Sequence, residues 1–338
     1  MKIQEKEERQ GQKHNLERKR NQDAEQNPDV QPKISWKSSL MLLLAASIWG
    51  TAFVAQSVGM DYLGPLSFNG ARFLLGSAAL LPVICLNRAK RRRAGKNLAG
   101  SSSENLLTRR KDTAAGGICC GLILCAASLL QQYGILYTSV GKAGFITTLY
   151  IILVPLFGIF LKKKVSGKVW TGAALAAFGM YLLCMSESFS LGKGDSLVFL
   201  CAVLFAGHIL VIDFFSPRTD GVELSCIQFL TAGILGSVLA FFFEKPDIGS
   251  FADGIVPLAY AGILSCGVAY TLQVLGQKNT DPAVASLILS LESVVSVLAG
   301  WVILDQALTG RELAGCILVF CAVILVQLPG KKLFGRRR

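Results

Sequence analysis

One carboxylate stands in an apolar stretch with no other charge. Glu292 lies in the middle of LILSLESVV, residues 287–295. If a helix begins near residue 283, a rise of about 1.5 Å per residue places Glu292 roughly 14 Å inside, near the middle of a ~30 Å hydrocarbon core. A charge at that depth costs about 3 kcal/mol, so the side chain should face the protein interior. It could contact a substrate amine, carry a proton, or form a structural pair between helices.

Arg72 is a second charged residue in an apolar segment. Its long side chain could span the difference in depth to Glu292 and form an ion pair there. Alternatively, its planar fork of donors suits the carboxylate of a substrate, or the side chain could extend toward the membrane surface. The sequence leaves the structural role and the substrate role open.

Neutral polar and aromatic residues form a weaker group of site residues. Tyr270, Gln273 and Gln277 follow i, i+3, i+7 spacing and share one helix face. Gln132 lies at a corresponding depth of another segment, although uncharged amides often only cross-link helices. Trp49 lies too deep for an interfacial aromatic belt, so it could form a cavity wall or pack in the core.

The two histidines give little support for metal chemistry. His14 lies in a polar tail and His208 in an apolar segment, so a multi-histidine metal site is not expected. His208 and Asp213 are five residues apart, a poor match for one helix face, and we interpret both as structural. No phosphate-binding GxxxxGK[ST] motif occurs. We expect no metal, no cofactor and no direct use of ATP.

The elements that must position these residues are membrane spans. The chain has 338 residues, of which 52% are hydrophobic and 17% charged, and its mean hydropathy is +0.50. Apolar runs of about twenty residues are long enough to cross a bilayer. These features predict an all-α polytopic membrane protein with ten spans, at 39–60, 66–87, 113–136, 140–161, 169–186, 195–216, 222–243, 253–276, 283–304 and 309–328.

Lys and Arg are concentrated in the two tails and in every second loop, and ten spans place all of these segments on the same side of the membrane. With both termini cytoplasmic, the cytoplasmic segments hold 29 of the 34 Lys and Arg residues, as the positive-inside rule requires. Basic runs such as residues 88–93 then lie near anionic lipid headgroups rather than on nucleic acid. We expect residues 1–38 to form a disordered cytosolic tail and residues 329–338 a basic cytosolic tail.

The two halves of the chain repeat each other weakly. When the sequence is aligned with itself, a shift of 156 positions and then one of 142 match residues of the first half with residues of the second in the same order. The shift changes because the basic loop at 88–112 is longer than its counterpart in the second half. Each half, 39–186 and 195–328, holds five spans, so the second enters the membrane inverted relative to the first. The shift of 142 places Tyr150 at the depth of Glu292, which favours Tyr150 as a cavity residue. The shifts align Ala46, Phe73 and Leu74 with Ala202, Phe229 and Leu230, and Leu130, Gln131, Gly134 and Thr138 with Leu272, Gln273, Gly276 and Thr280.

Four segments resemble the EamA-type drug/metabolite transporter superfamily. They are SIWGTAFVA (47–55), NGARFLLGSAAL (69–80), SVGKAGFITTLYIILVP (139–155) and PAVASLILSLESVVSVLAGWVILDQALTG (282–310). The last is the most specific, although family members commonly carry Pro where this chain has Ser293. A proline-induced break in the ninth span is therefore not supported by the sequence.

The resemblance implies export or exchange of small metabolites without indicating which ones. We expect a secondary active transporter that moves an amino acid-like or other small organic solute across the cell membrane by alternating access. A homodimer is compatible with it. A membrane enzyme is the main rival, but no nucleophile and base cluster is visible. A channel would need a filter segment, and a receptor or scaffold would lack net flux.

Overall fold

The protein is a bundle of long helices. The computed structural model describes residues 35–93, 103–138, 140–163, 165–184, 192–245, 247–278, 280–304 and 309–328, which contain helices and short connections and no strand. The two predicted tails fall almost entirely outside these residues. The helices of the first half are α1 (Trp36–Gly59), α2 (Pro65–Arg93), α3 (Ser103–Ile135), α4 (Val140–Thr148 and Tyr150–Phe160) and α5 (Gly167–Cys184).

The second half has the same succession of helices. A short surface helix, Ile248–Asp253, precedes α8. The long helices are α6 (Lys193–Phe215), α7 (Gly221–Phe243), α8 (Ile255–Gln277), α9 (Pro282–Leu289 and Leu291–Leu304) and α10 (Gly310–Gln327). We call the end of the bundle at which α2 begins the Pro65 face, and the opposite end, at which α7 begins, the Gly221 face.

Within the described residues, nine helices are long and apolar enough to cross a membrane. They correspond to nine of the ten predicted spans. The helix α5, which overlaps the predicted span 169–186, is not among them. The protein is therefore a multi-pass membrane protein, while the tenth span stays a prediction.

Helices α2 and α7 pack against each other in opposite directions along their whole length. A Cβ atom on Gly70 would lie 2.7 Å from the backbone nitrogen of Ser237, so the backbones approach as closely as glycine allows. At the Pro65 face, the Glu244 carboxylate accepts hydrogen bonds from Ser67 N at 2.7 Å and from the Ser67 hydroxyl at 2.6 Å. At the Gly221 face, Arg88 and Glu223 form an ion pair at 3.0 Å. The pair is fixed at both ends.

Both α4 and α9 are interrupted for one residue, at Leu149 and at Ser290. The interruption in α9 occurs without a proline. The Ser290 hydroxyl instead donates to the carbonyl of Leu287 at 2.8 Å, and Ser293 N bonds to the carbonyl of Ser290 at 3.1 Å, three residues back rather than four. Such side-chain bonds compete with the regular helix ladder and bend helices. Tyr150 is the first residue after the interruption in α4, and Glu292 is the second residue after the interruption in α9.

The middle of α8 is wound as a π-helix from Tyr260 to Tyr270. This segment packs on α2, where a Cβ atom on Gly262 would lie 3.0 Å from the carbonyl oxygen of Arg72. π-helical turns are rare and occur frequently at functional sites. The wide turns end at Tyr270, so they set the direction of the following residues, including Gln273.

Candidate functional site

A central cavity lies between the helices of both halves. Its empty volume is about 520 Å³, including its open mouth. Side chains from α1, α2, α3, α4, α6, α8 and α9 line it. Six of the seven site residues predicted from the sequence are on its wall, namely Trp49, Arg72, Tyr150, Tyr270, Gln273 and Glu292.

Gln132, the seventh predicted residue, is not on the cavity wall. It is fully buried and donates to the backbone carbonyl of Gln56 at 3.3 Å. Its neighbour Gln131 lines the cavity instead and donates to the Thr147 hydroxyl at 3.2 Å. Successive helical residues point about 100° apart. The sequence places both glutamines at a similar depth and favours Gln132 as the site residue, whereas the residue that faces the cavity is Gln131.

Glu292 is held by Tyr150. The Tyr150 hydroxyl donates to Glu292 Oε1 at 2.9 Å, and the two side chains are 4% and 5% exposed. In the described part of the chain Glu292 forms no ion pair and no other side-chain hydrogen bond. The remaining carboxyl oxygen is thus available to a proton, water or a ligand.

Arg72 does not pair with Glu292. Its Nη1 donates instead to Gln56 Oε1 at 2.8 Å, and its guanidinium carbon lies 4.9 Å from the centre of the Phe73 ring. Its Nε has no hydrogen-bond partner among the described residues, although the side chain is only 4% exposed. The Gln56 amide and the Phe73 ring hold the Arg72 side chain away from Glu292, so the ion-pair alternative is wrong. Among the described residues, no carboxylate forms an ion pair with the Arg72 guanidinium in the cavity.

An aromatic wall stands beside these groups. Trp49 and Tyr270 meet edge to face with ring centres 4.6 Å apart. The Trp49 indole also donates to the carbonyl of Ser265 at 3.2 Å, within the π-helical segment. Trp49 therefore links α1 to α8 and contributes to the cavity wall.

His208, for which the sequence predicts a structural role, lines the cavity. Its Nε2 lies 3.1 Å from Gln228 Oε1, and its ring centre lies 6.1 Å from that of Tyr270. A lone histidine in an apolar helix gives no sequence signal for such a role by itself. The internal repeat carries an indirect signal, because the shift of 156 aligns Gln228, the partner of His208, with Arg72. Asp213, by contrast, forms an ion pair with Lys163 near the Gly221 face, away from the cavity wall.

Comparison with known proteins decides the family. The chain matches the EamA-like transporter family over residues 36–185 and again over residues 192–328. The chain belongs to the EamA-like transporter family. Among its relatives, an uncharacterized transporter of Archaeoglobus fulgidus is 29% identical over 293 residues, which is 86% of each chain. The uncharacterized transporter YoaV of Bacillus subtilis is 21% identical over 309 residues, 89% of this chain and 99% of the relative.

Another relative and a solved structure extend the comparison. Protein PecM of Dickeya dadantii is 26% identical over 194 residues, 56% of this chain and 64% of the relative. A crystal structure with 18% identity superposes with a TM-score of 0.67 and covers 86% of this chain and 96% of that chain, which establishes a shared fold. The family and the names of the relatives point to a membrane transporter of the drug/metabolite superfamily rather than to an enzyme.

The wall of the cavity in this EamA-like transporter has an internal correspondence. Ten of its lining residues form five pairs, each related by the shift of 156 or 142 positions that aligns the two halves. Three pairs are alike in character, and the pair of Tyr150 with Glu292 differs most. The pairs are Trp49 with Phe205, Phe53 with Ile209, Gln131 with Gln273, Thr147 with Leu289, and Tyr150 with Glu292.

No cluster of three metal-binding side chains of His, Cys, Asp or Glu occurs in the part of this EamA-like transporter that the structure describes. The polar groups on its cavity wall are amides, hydroxyls, one imidazole, one guanidinium and one carboxyl. These groups can bind a solute by hydrogen bonds and charge. The arrangement suits recognition of a small polar molecule.

Proposed function

We propose that the chain is a secondary active transporter that moves a small, amino acid-like metabolite across the cell membrane by alternating access, as export or exchange. The observation that carries this proposal is the pair of opposite charges on one cavity wall, Arg72 and Glu292, which do not bind each other. A guanidinium and a carboxyl that are both buried and unpaired are costly to keep. A ligand that carries both charges would offset that cost.

The chemistry of the wall supports a zwitterionic solute. The guanidinium of Arg72 fits a carboxylate through its fork of donors. The free oxygen of Glu292 can accept from an amine. Trp49 and Tyr270 provide an aromatic surface for the apolar part of the solute. These roles make the named residues the substrate-binding residues of the proposal, together with Gln273.

The proposed layout is ten spans in two inverted repeats, 39–186 and 195–328. The two family matches, at 36–185 and 192–328, support these boundaries. The contact of Tyr150 with Glu292 supports them as well, because aligned residues of two inverted halves can touch where they lie close to the axis that relates the halves. With the distribution of Lys and Arg, this layout makes the Gly221 face and both termini cytoplasmic.

Glu292 is also the coupling group of the proposal. Its carboxyl is the only acidic group on the cavity wall among the described residues, and Tyr150 is its only hydrogen-bond partner there. A proton and a substrate amine would compete for the same carboxyl. This competition at one carboxyl would couple the flux of protons to the flux of substrate without any direct use of ATP.

The test is a screen of the purified full-length protein. Thermal shift is measured with amino acids, nucleosides, sugars and vitamins, and each solute that stabilises the protein is then tested for flux in proteoliposomes. We expect stabilisation and flux by an amino acid-like solute. Flux of other solutes only would refute the zwitterion assignment. Binding without flux for every stabilising solute would favour a receptor or scaffold over a transporter.

A further inference from the structure

Buried polar atoms without a partner gather in two groups. In the described part of the chain, nine buried side-chain nitrogen or oxygen atoms lack a hydrogen-bond partner, and seven of them fall into these groups. Because such atoms are costly unless water or a ligand meets them, their concentration points to sites rather than to packing. The Asn69 cluster contains Asn69 Oδ1, Arg72 Nε and Gln132 Oε1; the Ser225 cluster contains Ser225 Oγ, Gln228 Nε2, Gln273 Oε1 and Gln277 Oε1.

The two clusters occupy corresponding positions in the two halves. Asn69 and Arg72 follow the start of α2 by four and seven residues, and Ser225 and Gln228 follow the start of α7 by the same numbers. The shift of 156 aligns each member of the first pair with one of the second. Since α2 and α7 run in opposite directions, the Asn69 cluster lies toward the Pro65 face and the Ser225 cluster toward the Gly221 face.

Both clusters reach the same cavity. Arg72 lines it directly in the Asn69 cluster. In the Ser225 cluster, Gln273 lines it directly, and His208 connects the wall to Gln228 through the hydrogen bond of 3.1 Å. On the cavity wall, the polar groups of His208 and Gln273 lie between Arg72 and the Gly221 face, and Gln228 stands directly behind His208.

We propose that the Ser225 cluster with His208 is a second half-site, which binds the carboxylate end of the solute when the cavity opens to the Gly221 face. This inference rests on the proposed function. The Ser225 hydroxyl and the Gln228 amide offer two unpartnered donors for a carboxylate. Arg72 offers the corresponding donors in the half-site at the Pro65 face.

The two half-sites differ in charge. The Asn69 cluster contains a guanidinium, whereas the Ser225 cluster contains a hydroxyl and amides, joined by the His208 imidazole. Hydrogen bonds from a charged donor are roughly twice as strong as those between neutral groups. The solute should therefore bind more weakly from the Gly221 face than from the Pro65 face.

The first test does not require a known substrate. Asn69→Cys and Ser225→Cys are introduced separately, and a membrane-impermeant charged methanethiosulfonate is added to one face of sealed vesicles at a time. Modification is read by peptide fragmentation, so that the native thiols remain, and Cys226, which is buried and contacts the carbonyl of Ser77, serves as the unreactive reference. We expect the Ser225→Cys thiol to react from the Gly221 face and the Asn69→Cys thiol from the Pro65 face.

Two outcomes of this labelling would overturn the inference. One is reaction of both introduced thiols from the same face. The other is no reaction of the Ser225→Cys thiol above that of Cys226, which would make the Ser225 cluster a sealed structural group. Neither outcome depends on which solute the protein moves.

The second test exchanges the aligned residues. Initial rates are measured from each face in proteoliposomes with a radiolabelled mixture of the standard amino acids, for the wild type and for the double variant Arg72→Gln with Gln228→Arg. We expect the apparent KM to be about tenfold higher from the Gly221 face in the wild type, and the asymmetry to be inverted in the double variant. A folded double variant that keeps the wild-type asymmetry would overturn the inference. If the wild type moves none of the mixture, the amino acid-like function fails, and the labelling alone decides the half-site.

Discussion

Gly50 of α1 lies directly against the backbone of Glu292. A Cβ atom at Gly50 would be 2.6 Å from the carbonyl oxygen of Glu292 and 2.9 Å from the nitrogen of Ser296. No side chain fits there, so α1 and α9 meet at the depth of the acid. The position of Glu292 in the cavity thus depends on a glycine in another helix.

Replacing Gly50 should disturb both stability and transport. Gly50→Ala forces α1 away from α9, and overpacking of this kind costs about 1–3 kcal/mol. We expect a lower melting temperature in detergent and a reduced flux. Gly207→Ala in α6 is the matched control, because a Cβ atom there meets nothing within 4 Å. Equal melting temperatures of the two variants would contradict the close contact.

Glu292→Gln should remove the pH dependence of flux. The amide keeps the size of the carboxyl and can still accept from Tyr150, so folding should be preserved, but it cannot release or take up a proton. The measurement is the initial rate in proteoliposomes over a range of pH gradients, with the melting temperature as a check of folding. A variant that retains normal pH-driven transport would exclude proton coupling through Glu292.

Arg72→Lys should weaken substrate binding although the charge is retained. A lysine ammonium cannot present the two parallel donors of a guanidinium to a carboxylate. We expect an apparent KM about tenfold higher from the Pro65 face, the equivalent of one lost interaction. Arg88→Lys is the control, since Arg88 forms an exposed ion pair with Glu223 at the membrane surface and should leave KM unchanged.

Glu244→Gln should destabilise the protein more than Glu223→Gln. Glu244 accepts from the backbone nitrogens of Leu66 and Ser67 at the start of α2, where a negative charge is favourable. We expect a loss of about 1 kcal/mol in the free energy of unfolding for Glu244→Gln. Glu223 contributes only a partly exposed ion pair, for which the loss should be smaller. The measurement is chemical denaturation in detergent. An equal loss in the free energy of unfolding for both variants would argue against a capping role for Glu244.

The sequence was most informative where burial restricts the choice of residue. Charge in apolar segments selected Glu292 and Arg72, and the shift of 142 positions linked Tyr150 to Glu292 before any contact was known. The sequence does not determine in which direction a side chain points from its helix. Gln131 and Gln132 have the same depth, and only the packing of α3 decides which one reaches the cavity.

Tertiary contacts explain the other differences between prediction and structure. Arg72 binds Gln56 because that amide is closer than Glu292, a fact that no spacing along the chain contains. The π-helical turns of YAGILSCGVAY, residues 260–270, have no local signature, since the same residues read as an ordinary apolar helix. Their close packing with α2 is a property of the assembled bundle.

The fixed pair of α2 and α7 determines which parts of the molecule can move. Hydrogen bonds from Ser67 to Glu244 at one end, an ion pair at the other and close backbone approach between them hold these two helices together. In the proposed alternating access, this pair would act as a stator, and the rocking that exposes the cavity to one face and then to the other would be supplied by the surrounding helices. The interrupted helices α4 and α9, joined through Tyr150 and Glu292, lie outside that stator and would carry the proposed proton-binding carboxyl with them.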